Sequence, residues 1–263
     1  MSGLCGWFRP AGAVTSAPDP IASMAATLGR FDGAAVRSVA AEYGAAAVAG
    51  RDADVFQEGP LTAAVWGNPG FKQGAIAELA SRHGAARAIA EAYARHESSL
   101  LKDVSGSFAI AVHDARSGDA LLAVDRIGSQ PLFHAVHRDT LLYSTTLDAI
   151  VAYPGFDAAI ENQAIYDYVY FHMIPGPRTI YSDCRRLLPG HYARWRNGVS
   201  EIAPYWEMHY VENERGSFAQ LKEHFLAVLR ESVQEAIGPR PTGTFLSGGT
   251  DSPTVAGMLG EIT

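Results

Sequence analysis

With 263 residues, 48% hydrophobic and 19% charged, the chain has the composition of a packed globular protein, long enough for one large or two smaller domains, and neither disorder nor a coiled coil fits. Its 21 basic and 28 acidic residues give a net charge of −7 without a long Lys/Arg run, so small-molecule chemistry is expected, with no nucleic-acid and no membrane partner. Cys5 and Cys184 are too few for a disulfide framework or a four-cysteine zinc site; no run approaches about 18 apolar residues and Cys5 lies too early to follow an export signal, so the expected location is the reducing cytoplasm.

In chain order, residues 61–66 form the first apolar run bounded by turn residues and read as a strand, whereas 45–49 are only an Ala-rich patch. Residues 84–96 carry Ala88, Ile89, Ala92 and Tyr93 at helical spacing. Runs at 108–113, 120–125, 132–137 and 140–144 read as further strands, and 162–171 repeat the helical pattern with Ile165, Tyr168 and Val169. Rigid turns at 173–180 and 188–192 punctuate a late sheet region with alternating Tyr192, Arg194 and Arg196. The composition changes after Trp206: 218–236 place Leu221, Phe225, Val228, Leu229 and Val233 on one stripe of an amphipathic helix. Gly238-Pro239-Arg240-Pro241 ends it, 242–246 read as a short strand, and a helical pattern resumes at 254–259. Helix, strand, loop and helix are the opening of a parallel α/β domain.

The loop in that unit is Ser247-Gly248-Gly249-Thr250-Asp251-Ser252, following the apolar Leu246. A strand that turns through glycines into a helix aims backbone N–H groups at one point where the helix dipole favours an anion. Gly248 and Gly249 allow close approach, Ser247 and Ser252 offer hydroxyls, and Asp251 is a candidate Mg²⁺ ligand, so ATP and Mg²⁺ are the expected cofactors. The loop has no Lys and is not a Walker A loop; the plainer alternative is an ordinary turn.

Cys5-Gly6, Val104-Ser105-Gly106-Ser107-Phe108-Ala109, Asp125-Arg126-Ile127-Gly128-Ser129-Gln130-Pro131-Leu132-Phe133, the segments at 174–180 and 188–191, Tyr205-Trp206 and the Gly-rich loop occur in one order. Singly, Asp125-Arg126 reads as a surface ion pair capping a strand and the Pro-Gly segments as turns. Together they resemble the glutamine-hydrolysing asparagine synthetases, class II glutamine amidotransferases whose relatives include β-lactam synthetases and lasso-peptide cyclases. The resemblance implies an α+β fold: an N-terminal-nucleophile (Ntn) αββα sandwich over 1–206, then, over 207–263, the incomplete start of an α/β PP-loop synthetase domain. It further implies ATP-dependent activation of a carboxylate substrate as its acyl-adenylate, attack by ammonia from glutamine, and a homodimer. Pro253 departs from the family's small polar residue, a change that a first helical turn tolerates.

In such a domain the first residue is both nucleophile and, through its α-amine, base. Cys5 is therefore catalytic only if processing makes it the N-terminus, because Met1-Ser2-Gly3-Leu4 precede it; removing Met1 alone exposes Ser2, which on this reading does not restore the site. A buried small hydrophobe is the equal alternative for Cys5. By resemblance Arg51, Gly67 and Asn68 bind glutamine, but the family's Asn-Gly-Glu appears as Trp66-Gly67-Asn68, and its Ser-Asp-x-Glu as Gly84-Ala85-Ala86-Arg87. Losing the acid that pairs with the substrate ammonium should cost on the order of a few kcal/mol, so weak or absent glutaminase activity is expected. Cys184 reads as a structural thiol, and the histidines, including His134, His137, His172 and His191, show no metal spacing. Three readings stand: an ATP-dependent amidotransferase, a ligase using an internal amine, and a truncated non-catalytic binding or dimerisation module, since the chain stops soon after Ser252.

Overall fold

The computed structural model describes residues 2–10, 20–72, 74–196, 198–211, 216–237 and 241–263. It divides into two compact units, Met1–Glu207 and Met208–Thr263.

The first unit runs β1 (Gly3–Phe8), α1 (Ile21–Ala25), β2 (Val36–Ala41), β3 (Gly44–Ala49), β4 (Ala53–Glu58), β5 (Leu61–Phe71), α2 (Ala75–His83), α3 (Ala85–His96), β6 (Val104–Asp114), β7 (Asp119–Val124), β8 (Phe133–His137), β9 (Thr140–Ser144), α4 (Leu147–Val151), α5 (Asn162–Phe171), β10 (Cys184–Arg186), β11 (His191–Arg196) and β12 (Val199–Pro204). They build two six-stranded sheets, β10-β8-β9-β1-β3-β2 and β12-β11-β7-β6-β5-β4. All the paired neighbours are antiparallel, as hairpin connections favour.

Alternation along the strands sets the layers, because successive side chains leave opposite faces of a sheet. Leu4 and Phe8 of β1 meet Ala64, Ala109, Leu122 and Trp195 in a core between the sheets. The intervening Cys5 and Trp7 face the other way, against Ile21, Met24 and Leu28 around α1 and Ile150 of α4. On the second sheet Val65, Ile110 and Leu121 pack outward on Ile89, Ala92 and Tyr93 of α3. Helices therefore cover both outer faces, giving an αββα sandwich.

The strands anticipated at 61–66 and 108–113 extend into one long antiparallel pair, joined through α2 and α3, that sets Leu61 opposite Asp114 and Phe71 opposite Val104. The Ala-rich patch is β3, buried throughout. Alanine has little intrinsic strand preference, but small side chains let β3 lie close to its neighbours. Close approach also explains Gly6, where a Cβ would lie 2.3 Å from Tyr143 Oη and 2.4 Å from the Ala45 carbonyl oxygen.

Asp125 is not the surface ion-pair residue anticipated: it is 1% exposed. Its carboxylate accepts from the backbone N–H groups of Phe108, Ile127, Ser129 and Gln130 and from the Ser129 hydroxyl, holding the turn after β7 onto β6. Arg126 instead lies over the Trp206 ring, 6.0 Å from its centroid. Desolvation outweighs pairing for the isolated ion, so a buried carboxylate persists only with such a set of donors.

The second unit contains α6 (Phe218–Ala236) and α7 (Asp251–Ile262). Ser217 and Gln220 form a reciprocal capping box at the start of α6: the Ser217 N–H donates to Gln220 Oε1 at 2.9 Å and the Gln220 N–H to Ser217 Oγ at 3.4 Å. The strand anticipated at 242–246 is absent; no strand is assigned among the described residues of this unit, so an extended segment there has no ladder partner. The anticipated helix end at Gly238-Pro239-Arg240 lies outside the described residues. α7 begins at Asp251, earlier than the pattern at 254–259 suggested, because Ser252 and Pro253 are accepted in a first turn. Among the described residues no helix is long and apolar enough to cross a membrane.

Candidate functional site

Cys5, expected as a nucleophile only if processing made it the N-terminus, occupies the interior of β1, opposite Ala47 on one side and Ser144 on the other. Its side chain is fully buried in the layer beneath α1. Burial pushes the thiol pKa far above its ordinary value, which keeps it protonated and poorly nucleophilic. Making Cys5 the first residue would also remove Gly3 and Leu4, which pair with Ala49 and Val48. The cavities open instead at the start of β1.

Ser2, an odd number of positions from Cys5, shares the parity of Leu4 and Phe8. It lines a charged cavity of about 710 Å³ together with Asp32, Arg37, Gly50, Arg51 and Asp52. It also lines a second, largely apolar cavity of about 580 Å³ with Trp66, Pro131, Phe133, Thr146 and Leu147. The Ser2 hydroxyl donates to Asp32 Oδ2 at 3.1 Å. Asp32 is held below the ordinary carboxylate range, first by the Ala34 N–H and then by the Ser2 hydroxyl. Gly50 adopts φ +102°, and a Cβ there would lie 2.3 Å from the Ser2 Cβ, so a larger residue would displace the N-terminal segment.

Arg51 therefore lies on the charged cavity. Gly67, with φ +107°, is tied to the same wall because its N–H donates to the Asp52 carbonyl at 2.7 Å. Asn68 follows on β5, exposed and opposite Ser107. Trp66, where the family motif has Asn, walls the apolar cavity.

Gly84 to Arg87 open α3 on the outer side of the second sheet, and the acid at that helix start comes from β4: Asp54 Oδ2 accepts from the Ala86 N–H at 2.9 Å. Arg87 is engaged by Glu91 at 3.0 Å and Glu58 at 3.4 Å. Counting along the motif thus finds no pocket carboxylate, yet Asp32 and Asp52 supply two. Sequence reasoning missed both acids and set Ser2 aside; the available signals were the Asp-Gly turn at Asp32-Gly33 and the Gly-Arg-Asp run at Gly50 to Asp52.

Cys184 is buried on β10, its pKa pushed up to about 11 mainly by burial, with Asp183 adding and Arg185 opposing. That is an inert structural thiol. Among the described residues no group of three His, Cys, Asp or Glu side chains could hold a metal.

In the second unit, Leu246 is 73% exposed. The Ser247 hydroxyl donates to Ser252 Oγ at 3.2 Å, the Gly249 N–H approaches Ser247 Oγ at 3.5 Å, and the Thr250 hydroxyl meets Asp251 Oδ1 at 3.3 Å. A Cβ at Gly248 would meet nothing within 4 Å. Hydroxyls and backbone donors thus gather at the open N-terminus of α7.

Residues 78–206 match the family model of a glutamine amidotransferase domain. Over 202 residues the chain is 29% identical to a Mycobacterium tuberculosis protein assigned as a glutamine-hydrolysing asparagine synthetase, covering 69% of this chain and 30% of that one. It is 30% identical over 176 residues to amidase chyE of Penicillium rubens, covering 65% and 25%, and 24% identical over 174 residues to glutamine-hydrolysing asparagine synthetase 3 of Bacillus subtilis, covering 65% and 28%. The chain therefore spans less than a third of the length of these relatives. The solved glutamine phosphoribosylpyrophosphate amidotransferase of Bacillus subtilis overlays 98% of this chain and 63% of its own at 11% identity and a TM-score of 0.47. The chain carries a class II glutamine amidotransferase domain and is a distant homologue of the asparagine synthetases and of fungal amidases.

Proposed function

We propose that the chain serves an asparagine-synthetase-type, ATP-dependent amidotransferase in which Cys5 does not release ammonia from glutamine. The observation that carries this reading is the pairing of an amidotransferase domain with the complete Ser247 to Ser252 hexapeptide at the start of a 12-residue helix. Ser247 and Ser252 would donate hydroxyls to phosphate oxygens, with the Gly248 and Gly249 N–H groups close to them and Leu246 leading the chain into the loop. Asp251 would hold a Mg²⁺ bridging those phosphates. The open space at Gly248 and the donor set fit a polyphosphate. Bound ATP supplies the activation of a carboxylate as its acyl-adenylate, with pyrophosphate as the leaving group.

The large exposure of Phe218, Phe225 and Phe245, at 83%, 63% and 96%, supports a segment that works packed against further protein surface. Enclosure of Cys5 favours an acceptor amine other than Cys5-derived ammonia, and so gives weight to the second reading, a ligase that uses an internal amine. The test is ATP-dependent pyrophosphate release by the protein as expressed from its gene. Asp251→Ala should lower it about a hundredfold. Release that ignores this substitution, or no release with any carboxylate, would leave the non-catalytic module as the better reading.

A further inference from the structure

The two cavities of the sandwich meet at Ser2, and the wall around it is chemically divided. One side offers Arg37 and Arg51 with Asp32 and Asp52; the other offers Trp66, Phe133 and Leu147. The charged side complements a zwitterion, its arginines facing a carboxylate and its acids an ammonium. The apolar side is far larger than ammonia needs and suits an aryl or alkyl group. Ser2 is the hydroxyl common to both, and Gly50 is kept small by its presence. Thr145 is already engaged with the Leu4 N–H and carbonyl at 3.1 and 3.2 Å. Thr146 Oγ, on the apolar wall, has no protein partner among the described residues.

We propose that Ser2, freed by hydrolysis of the Met1-Ser2 bond, is the nucleophile of this domain, acting on amides that join a zwitterionic amino-acid acyl group to an apolar amine. The uncovered α-amine of Ser2, with an ordinary pKa of about 7.7 to 8.0, is the base that an N-terminal nucleophile requires. The Ser2 hydroxyl attacks the amide carbon; its proton passes through the α-amine to the departing nitrogen, the C–N bond breaks and an ester forms on Ser2. Water then attacks the ester, giving its proton to the same amine, and releases the carboxylic acid with the hydroxyl restored. Cys5 takes no part, since it leaves the opposite face of the sheet. The inference rests on the amidotransferase reading of the sandwich and is independent of the ATP site.

The experiment uses γ-glutamyl-p-nitroanilide with full-length protein whose first residue is determined by mass, and follows nitroaniline release beside ammonia release from glutamine. A chain that begins at Ser2 should hydrolyse the anilide at least about tenfold faster than glutamine, with activity rising as the α-amine deprotonates near pH 8. Ser2→Ala should lose about a hundredfold or more, Ser2→Cys should retain or exceed the activity, and Cys5→Ala should leave it unchanged. Rapid quenching should place a γ-glutamyl mass on the N-terminal peptide. A protein that keeps the residue ahead of Ser2, equal turnover by Ser2→Ala, an adduct on Cys5, or no turnover by a Ser2-first chain would overturn the proposal. Pyrophosphate release by the same preparation reports separately on the ATP site, so the two failures are distinguishable.

Discussion

The sandwich and the C-terminal segment use the same apolar side chains to opposite effect. In the first, Phe8 and Phe108 are fully buried between or beside two sheets; in the second, Phe218 and Phe245 are 83% and 96% exposed. Burying a phenylalanine is worth about 1.5 to 3 kcal/mol, so the sandwich has fixed its structure by packing, whereas the segment is held mainly by local helix signals such as the Ser217 capping box. An amphipathic stripe therefore predicts a helix in either region, but only a partner surface makes it a core.

The sharpest test of this contrast is Asp125→Ala, which strands five donors inside the sandwich. A loss of about 3 kcal/mol or more is expected in urea unfolding. Next comes acid. His113 and His134 are buried, and burial lowers their pKa values to about 3 and about 4, from 6.5 in the unfolded chain, with Arg185 adding to the effect at His134. Below pH 6.5 the unfolded state takes up protons that the folded state refuses, so stability is full above that value and falls as pH drops toward 4. The slope should approach about 1.4 kcal/mol per pH unit for each histidine in that window. The smallest effect belongs to the C-terminal segment: Phe225→Ser should change the unfolding free energy by no more than about 0.5 kcal/mol. A cost of several kcal/mol would mean that this face is covered and that the contrast fails.

Much of the sandwich was legible because its later strands carry apolar runs between turn residues, as at Leu121 and Leu122 or Leu141 and Leu142. β3 was not, because its alanines signal spacing and not strand preference. The extended segment at 242–246 shows the reverse error: apolar residues there suggest a strand, but a ladder needs a neighbour. For the site, Arg51, singled out by the resemblance, lines the charged cavity. The sequence left Cys5 open between a processed nucleophile and a buried small hydrophobe, and its burial follows the second. Sequence order alone does not show which sheet face a side chain leaves, because a shift by an odd number of residues exchanges the faces. Asp32 and Asp52 were overlooked because they reach the cavity from separate segments and not from one motif.

Thiol accessibility tests the central claim, that the reactive face of β1 belongs to Ser2 and not to Cys5. Under iodoacetamide at neutral pH the folded protein should gain no adduct at Cys5 or Cys184, and both of its cysteines should be alkylated once it is unfolded. Modification of Cys5 in the folded protein at the rate of a free thiol, prevented by glutamine, would contradict it.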